Sequence, residues 1–93
     1  MNDVVENNEF GRRFELRTSE GHAELQYHYR GPDTIVLVHT DVSPELQGRG
    51  LAGKLAHAAL EFARTNKLGV VPVCPFVQSY LERHPEYADL VRE

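Results

Sequence analysis

The chain contains 93 residues, of which 41% are apolar and 26% are charged, and its net charge is −4 at pH 7. We therefore expect one domain spanning residues 1–93, and the acidic balance argues against a general nucleic-acid-binding protein. The single cysteine, Cys74, excludes an internal disulfide and favours the cytoplasm, where thiols stay reduced. We expect no membrane span, which needs about 20 apolar residues, and no signal peptide, because the N-terminus lacks a cationic start.

Four segments in the first half of the chain predict strands, namely residues 4–5, 13–18, 22–30 and 34–42. The second and third alternate apolar and polar side chains, as half-buried strands do. The fourth contains the continuous apolar run Ile35–Val38, which is expected of a strand covered on both faces. Because only short turns separate these segments, they predict an antiparallel meander.

The second half of the chain switches to a helical period. Apolar residues between positions 50 and 66 recur on one face of an amphipathic helix. A short apolar strand follows at residues 70–74, and a second helix is predicted at residues 76–83, with one more turn near the C-terminus. A strand after a helix should run parallel to an earlier strand, and Pro72 favours an edge or splayed position for it.

This order predicts the fold class. It is an α+β domain in which an antiparallel meander is joined by a βαβ crossover into a mixed sheet, with two main helices.

A glycine-rich loop precedes the first helix. Gly48, Gly50 and Gly53 allow the backbone to approach a ligand closely. The helix N-terminus carries a partial positive charge, so the loop predicts a phosphate-binding site, and Arg49 and Lys54 add full charges. The alternative is a glycine turn that serves geometry alone.

Two nucleotide-binding motifs fail on context. Gly48, Gly50 and Gly53 match the spacing of the dinucleotide fingerprint, but the next strand ends at Cys74-Pro75 without the required acidic residue. The phosphate loop of NTPases needs Ser or Thr after Gly-Lys, and here Lys54 is followed by leucine.

The segment from Val36 through Ala52 resembles the acetyl-CoA-binding motif of the GNAT superfamily of N-acetyltransferases. Gln47, Gly50 and Ala52 match its fixed positions, Gln/Arg-x-x-Gly-x-Gly/Ala. The resemblance implies that loop amides bind the coenzyme A pyrophosphate and that pantetheine lies between the strands ending near Val42 and Cys74. The cofactor-binding residues it implies are Val42, Gln47, Gly48, Arg49, Gly50, Leu51, Ala52, Gly53 and Lys54.

The chain is most similar to the minimal, single-domain subgroup of that superfamily, which lacks the usual N-terminal helices. His39 and Cys74 match the histidine and cysteine of this subgroup. We predict His39 as general base, on the same strand face as Ile35 and Leu37, because histidine titrates near neutral pH. The alternative is a partly buried histidine bound to a backbone carbonyl.

Two further residues are predicted to be catalytic. Cys74 is either an acetyl carrier activated by His39 or a thiol that positions the thioester, while direct attack by the amine is the favoured mechanism. Tyr80 is predicted to protonate the leaving thiolate. The alternatives are a small buried cysteine and an aromatic ring that packs on the sheet.

The sequence therefore predicts an acetyl-CoA-dependent N-acetyltransferase acting on an amine, either of a small molecule or of a protein. The alternative is a non-catalytic module that binds acyl-CoA or another protein. The remaining histidines have no metal-ligand spacing, and we interpret them as surface or structural residues.

Overall fold

A computed structural model describes residues 4–92 as a five-stranded sheet with helices on one face. The strands are β1 (Glu6–Asn8), β2 (Arg13–Thr18), β3 (Gly21–Tyr29), β4 (Thr34–Val42) and β5 (Gly69–Pro72). The helices are α1 (Leu51–Thr65) and α2 (Pro75–Arg83), with 3-10 helices at Pro44–Leu46 and Pro85–Leu90. The predicted fold class is confirmed.

The strands follow one another across the sheet in chain order. Pairing is antiparallel from β1 to β4 and parallel between β4 and β5, with α1 forming the crossover. The first strand lies at Glu6–Asn8 and not at the predicted residues 4–5. It pairs with β2, where Asn7 lies opposite the buried Phe14.

The apolar core lies between the sheet and the helices. Alternate residues of β2 and β3, among them Leu16 and Leu25, meet the apolar side of α1, which includes Leu55 and Leu60. All four of these leucines are buried almost completely, as expected for an amphipathic helix on a half-covered sheet. Within residues 4–92, neither helix is long and apolar enough to cross a lipid bilayer.

The opposite face of the sheet is polar. Its residues include His22, Gln26 and His28, which are all exposed. The first part of β4 is nevertheless buried on both faces, as its apolar run predicted, since Ile35, Val36 and Leu37 are 0%, 6% and 0% exposed. From Val38 onward, half-buried and exposed residues alternate.

A β-bulge interrupts β4 at Val38. Gln26 of β3 pairs with His39 while the next residue, Tyr27, pairs with Leu37, so Val38 is an extra residue. A bulge shifts the alternation of every residue that follows it. The prediction that His39 shares a face with Leu37 is therefore wrong, because Leu37 is fully buried in the core and His39 is exposed on the polar face.

Candidate functional site

The glycine loop enters α1 through left-handed backbone. Gly50 is the N-cap with φ 74°, and Gly48 has φ 85°, so both positions strongly favour glycine. A Cβ at either position would meet no atom within 4 Å, which leaves the backbone open to a ligand. Leu46 is completely buried and anchors the loop.

A cleft of about 250 Å³ opens at this loop. It is lined by Val42, Leu46, Gln47, Gly48, Gly50, Leu51, Ala52, Gly53 and Phe76. The structure thus brings together every residue that the motif implied for the cofactor, except the two cations. Glycine backbone and a helix N-terminus lie at one end and apolar side chains at the other, a donor set that fits a diphosphate joined to an extended chain.

The two cations lie outside this cleft. Arg49 forms two hydrogen bonds with the carboxylate of Glu20, at 2.7 and 3.1 Å, and so ties the glycine loop to the turn between β2 and β3. These bonds hold the pKa of Glu20 below its ordinary value. Lys54 lines a second, larger cavity of about 480 Å³ that adjoins the cleft through Gly50 and Gly53.

Strands β4 and β5 separate beside the bulge. Their last pair is Leu37 with Pro72, and the amides of Val73 and Cys74 both donate to the Leu37 carbonyl at 3.0 Å. Beyond this point β4 continues to Val42, whereas the segment that follows β5 turns into α2. The family resemblance implied a gap between these two strands, and their pairing ends here.

Cys74 lies on the helix side of this gap. Its side chain is 3% exposed, and its sulfur lies 3.1 Å from the hydroxyl of Thr40. Because Thr40 faces the helices, its neighbour His39 faces the other way. The predicted activation of Cys74 by His39 therefore has no support in the geometry, since the sheet lies between the two side chains.

Tyr80 lies on α2, one turn after Phe76, and borders the second cavity. Its ring stacks on that of His84, with centroids 3.9 Å apart and planes 18° apart. Burial raises the pKa of the Tyr80 hydroxyl, so it is protonated at neutral pH. The three predicted catalytic residues, His39, Cys74 and Tyr80, thus occupy three separate places.

Sequence reasoning missed three features of this region. Phe76 lies four residues before Tyr80, a helical spacing that could have placed both rings on one face. Thr40 could have been found only with knowledge of the bulge. His57 is exposed, in agreement with its interpretation as a surface or structural residue, but its contact with Tyr87, 30 positions along the chain, and its place in the lining of the second cavity were not predicted.

Comparisons with known proteins agree with this architecture. A sequence profile of the GCN5-related N-acetyl-transferase family matches residues 13–90. The protein NATD1 of Xenopus tropicalis is 36% identical over 83 residues, which cover 87% of this chain and 76% of that protein. NATD1 of Danio rerio is 33% identical over 91 residues, or 94% of this chain and 83% of its own length.

A solved structure shows the same fold. The NMR solution structure of a GCN5-like protein from Staphylococcus aureus superposes with a TM-score of 0.75 and is 32% identical, covering 98% of this chain and 89% of that one. The profile, the relatives and the shared fold together show that the chain belongs to the GCN5-related N-acetyltransferase family.

Proposed function

We propose that this protein is an acetyl-CoA-dependent N-acetyltransferase whose acceptor is an amine. The observation that carries the proposal is the cleft at the start of α1, where Gly48 and Gly50 leave their backbone open. The family to which the chain belongs supports acyl transfer in general. The cofactor and the acceptor class are the finer points that the proposal adds.

The residues of the cleft suit coenzyme A. The amides at Gly48 and Gly50, with the positive N-terminus of α1, would hold the pyrophosphate. The first turn of α1 contains no acidic residue that would repel this anion. Val42, Leu46 and Phe76 offer apolar walls to the pantetheine arm. When bound, acetyl-CoA would supply an activated thioester, in which the amine nitrogen bonds to the carbonyl carbon while the C–S bond breaks and the thiolate leaves.

His39 is proposed to accept the proton that the amine loses. It follows Leu37, the last β4 residue that pairs with β5, by two positions, so it lies beside the gap, on the polar face of the sheet. Its exposure gives an acceptor access from that side. An imidazole suits this role because it exchanges protons near neutral pH.

The departing thiolate must gain a proton, and position favours Cys74 over Tyr80 as its source. Cys74 lies where β4 and β5 separate, whereas Tyr80 borders the second cavity. The Cys74 thiol is hydrogen-bonded to the Thr40 hydroxyl, which is not a base at neutral pH. This arrangement favours direct attack by the amine over an acetyl-cysteine, since nothing described there would activate the thiol as a nucleophile.

The test of cofactor binding compares two glycines. Gly50→Glu introduces a strained backbone and an anion into the cleft, and we expect it to abolish binding of CoA and acetyl-CoA in isothermal titration calorimetry. Gly31 is a matched control, because its φ is 73° and a Cβ there also meets no atom within 4 Å. Gly31 precedes the first residue of β4, whereas the glycine loop follows the last one, and the two ends of this strand are about 26 Å apart.

Turnover is then measured as CoA thiol release across a panel of amines. Release that depends on both acetyl-CoA and an amine supports the transferase. CoA binding without release from any amine supports the alternative, a non-catalytic acyl-CoA-binding module. Loss of binding in Gly31→Glu equal to that in Gly50→Glu would contradict the assignment of the cleft.

A further inference from the structure

The cleft at the glycine loop has its inner end between β4 and α2. The walls there are formed by Val42, on the helix-facing side of β4, and by Phe76, in the first turn of α2. A cofactor arm that is held at the glycine loop and points towards the gap runs between these two side chains. This inference rests on the proposed function, because it concerns the acyl group that such an arm carries.

The next side chains inwards on the two walls touch each other. Thr40 faces the same side of β4 as Val42, because it precedes Val42 by two positions and lies opposite the core residue Leu25. Cys74 is the N-cap of α2 and precedes Phe76 by two positions. The Thr40 hydroxyl lies 3.1 Å from the Cys74 sulfur, so this contact spans the space between β4 and α2.

Backbone hydrogen bonds close the region behind this contact. The amides of Val73 and Cys74 both donate to the Leu37 carbonyl at 3.0 Å, and Leu37 is also the last residue of β4 that pairs with β5. Leu37 is 0% exposed and Cys74 is 3% exposed. Since the two segments converge towards Leu37, the cleft tapers inwards and ends at Thr40 and Cys74.

We propose that Thr40 and Cys74 form an end wall that sets the length of the transferred acyl group. Acetyl fits in front of this wall, whereas propionyl and longer groups are rejected. Each added methylene must displace atoms that are already in contact, and closely packed protein interiors resist such a displacement. Thr40 is therefore a specificity-determining residue of the proposed reaction, because it is half-buried and forms the β4 side of the wall.

The experiment measures the affinities of CoA, acetyl-CoA, propionyl-CoA and butyryl-CoA by isothermal titration calorimetry. No amine is present, so binding is measured apart from turnover, and CoA gives the affinity without an acyl group. We expect the wild-type protein to bind propionyl-CoA about 10-fold to 200-fold more weakly than acetyl-CoA, which is the range for one methylene in a protein pocket. Butyryl-CoA should bind no more tightly than propionyl-CoA.

Two substitutions of Thr40 separate the volume of the end wall from its hydrogen bond. Thr40→Ala and Thr40→Val both lose the hydrogen bond to Cys74, but only Thr40→Ala opens space. The ratio of acetyl-CoA affinity to propionyl-CoA affinity should fall towards one in Thr40→Ala and keep its wild-type value in Thr40→Val. An equal fall in both variants would show that the hydrogen bond, and not the volume, sets the ratio, and would overturn the end wall.

Val42→Ala is the matched control, because Val42 lies on the same face of β4 but forms a side wall of the cleft. It should weaken the binding of all three acyl compounds by a similar factor and keep the wild-type ratio. Thr40→Ser retains the hydroxyl and removes only the methyl group, so it should give an intermediate ratio. This milder variant, whose folding is checked by urea denaturation, tests the end wall even where the alanine variant does not fold.

The outcomes separate the two levels of the proposal. Equal wild-type affinities for the three acyl compounds would overturn the end wall and leave the proposed function intact. Failure to bind CoA and every acyl compound would overturn the proposed function and the end wall together. A wild-type ratio that persists in both Thr40→Ala and Thr40→Ser would exclude Thr40 as the residue that sets the length of the acyl group.

Discussion

The two faces of the sheet have different tasks. The helix-covered face carries the apolar core, and the proposed cofactor cleft opens at its edge beside the start of α1. The polar face carries exposed side chains, among them His39 and Gln26, and none of the described helices packs on it. One face therefore stabilises the fold and is proposed to hold the cofactor, and the other is proposed to meet the acceptor.

This division explains how a short chain could serve both ends of an acyl transfer. The separation of β4 from β5 connects the two faces, because it is the place where the sheet is not closed by paired strands. Substitutions on the helix-covered face should therefore change stability or cofactor affinity, and those on the polar face should change turnover alone.

The largest effect is expected at His39. His39→Gln should lower the rate of acetyl transfer about 10²-fold to 10⁴-fold, the usual contribution of a general base, while the CoA affinity stays within about twofold. His22→Gln, on the same face and exposed, is the control. Turnover rates and calorimetric affinities decide the matter, and a parallel loss of CoA binding in His39→Gln would contradict the division.

A large effect on stability is expected in the core. Leu55→Ala should lower the free energy of unfolding by about 2–5 kcal/mol, because Leu55 is completely buried between α1 and the sheet. Gln26→Ala, on the polar face, should change it by less than about 0.5 kcal/mol. Urea denaturation measures both, and comparable losses would show that the polar face also contributes to the core.

A moderate effect is expected at the gap. Thr40→Val removes the hydroxyl bonded to Cys74 while keeping the shape of the side chain, and should cost about 1 kcal/mol of stability. Cys74→Ala removes the other partner. A double-mutant cycle by denaturation should show coupling between them, and strictly additive effects would mean that the two groups do not interact.

The smallest effect is expected from the exposed pair between Glu20 and Arg49. Because Arg49 lowers the pKa of Glu20 in the folded protein, the pair stabilises the fold above the ordinary pKa of glutamate, and this contribution is lost as the pH falls through the lowered value. Glu20→Gln should therefore flatten the acidic part of a stability curve measured from pH 7 to pH 3. Arg49→Gln should flatten it equally, and an unchanged curve would show that the pair has no thermodynamic role.

Much of the fold follows from local pattern. The bounds of β2 and β4 agree with the predicted residues 13–18 and 34–42, because hydrophobic period and turn residues determine them. The glycine loop and most of the cleft also follow from sequence, since they are contiguous in the chain and depend on the geometry of one strand-to-helix junction.

The remainder depends on tertiary structure. The face of His39 could not be predicted, because the bulge at Val38 appears only when β4 is paired with β3. The contact between Thr40 and Cys74 depends on the same shift. The contact of Tyr87 with His57 joins positions 30 residues apart, and no local pattern indicates it.

The extra residue in β4 has a consequence for strand length. Eight residues of β4, from Ile35 to Val42, span the same stretch as seven residues of β3, from Ala23 to Tyr29, so Val38 is surplus. Its removal would shorten β4 by about 3.3 Å and leave Leu37, His39 and Thr40 on their present faces. A chain without Val38 would then keep its side-chain orientations but lose the local bend that a bulge introduces, so this deletion separates the contribution of the bend from that of the face on which His39 lies.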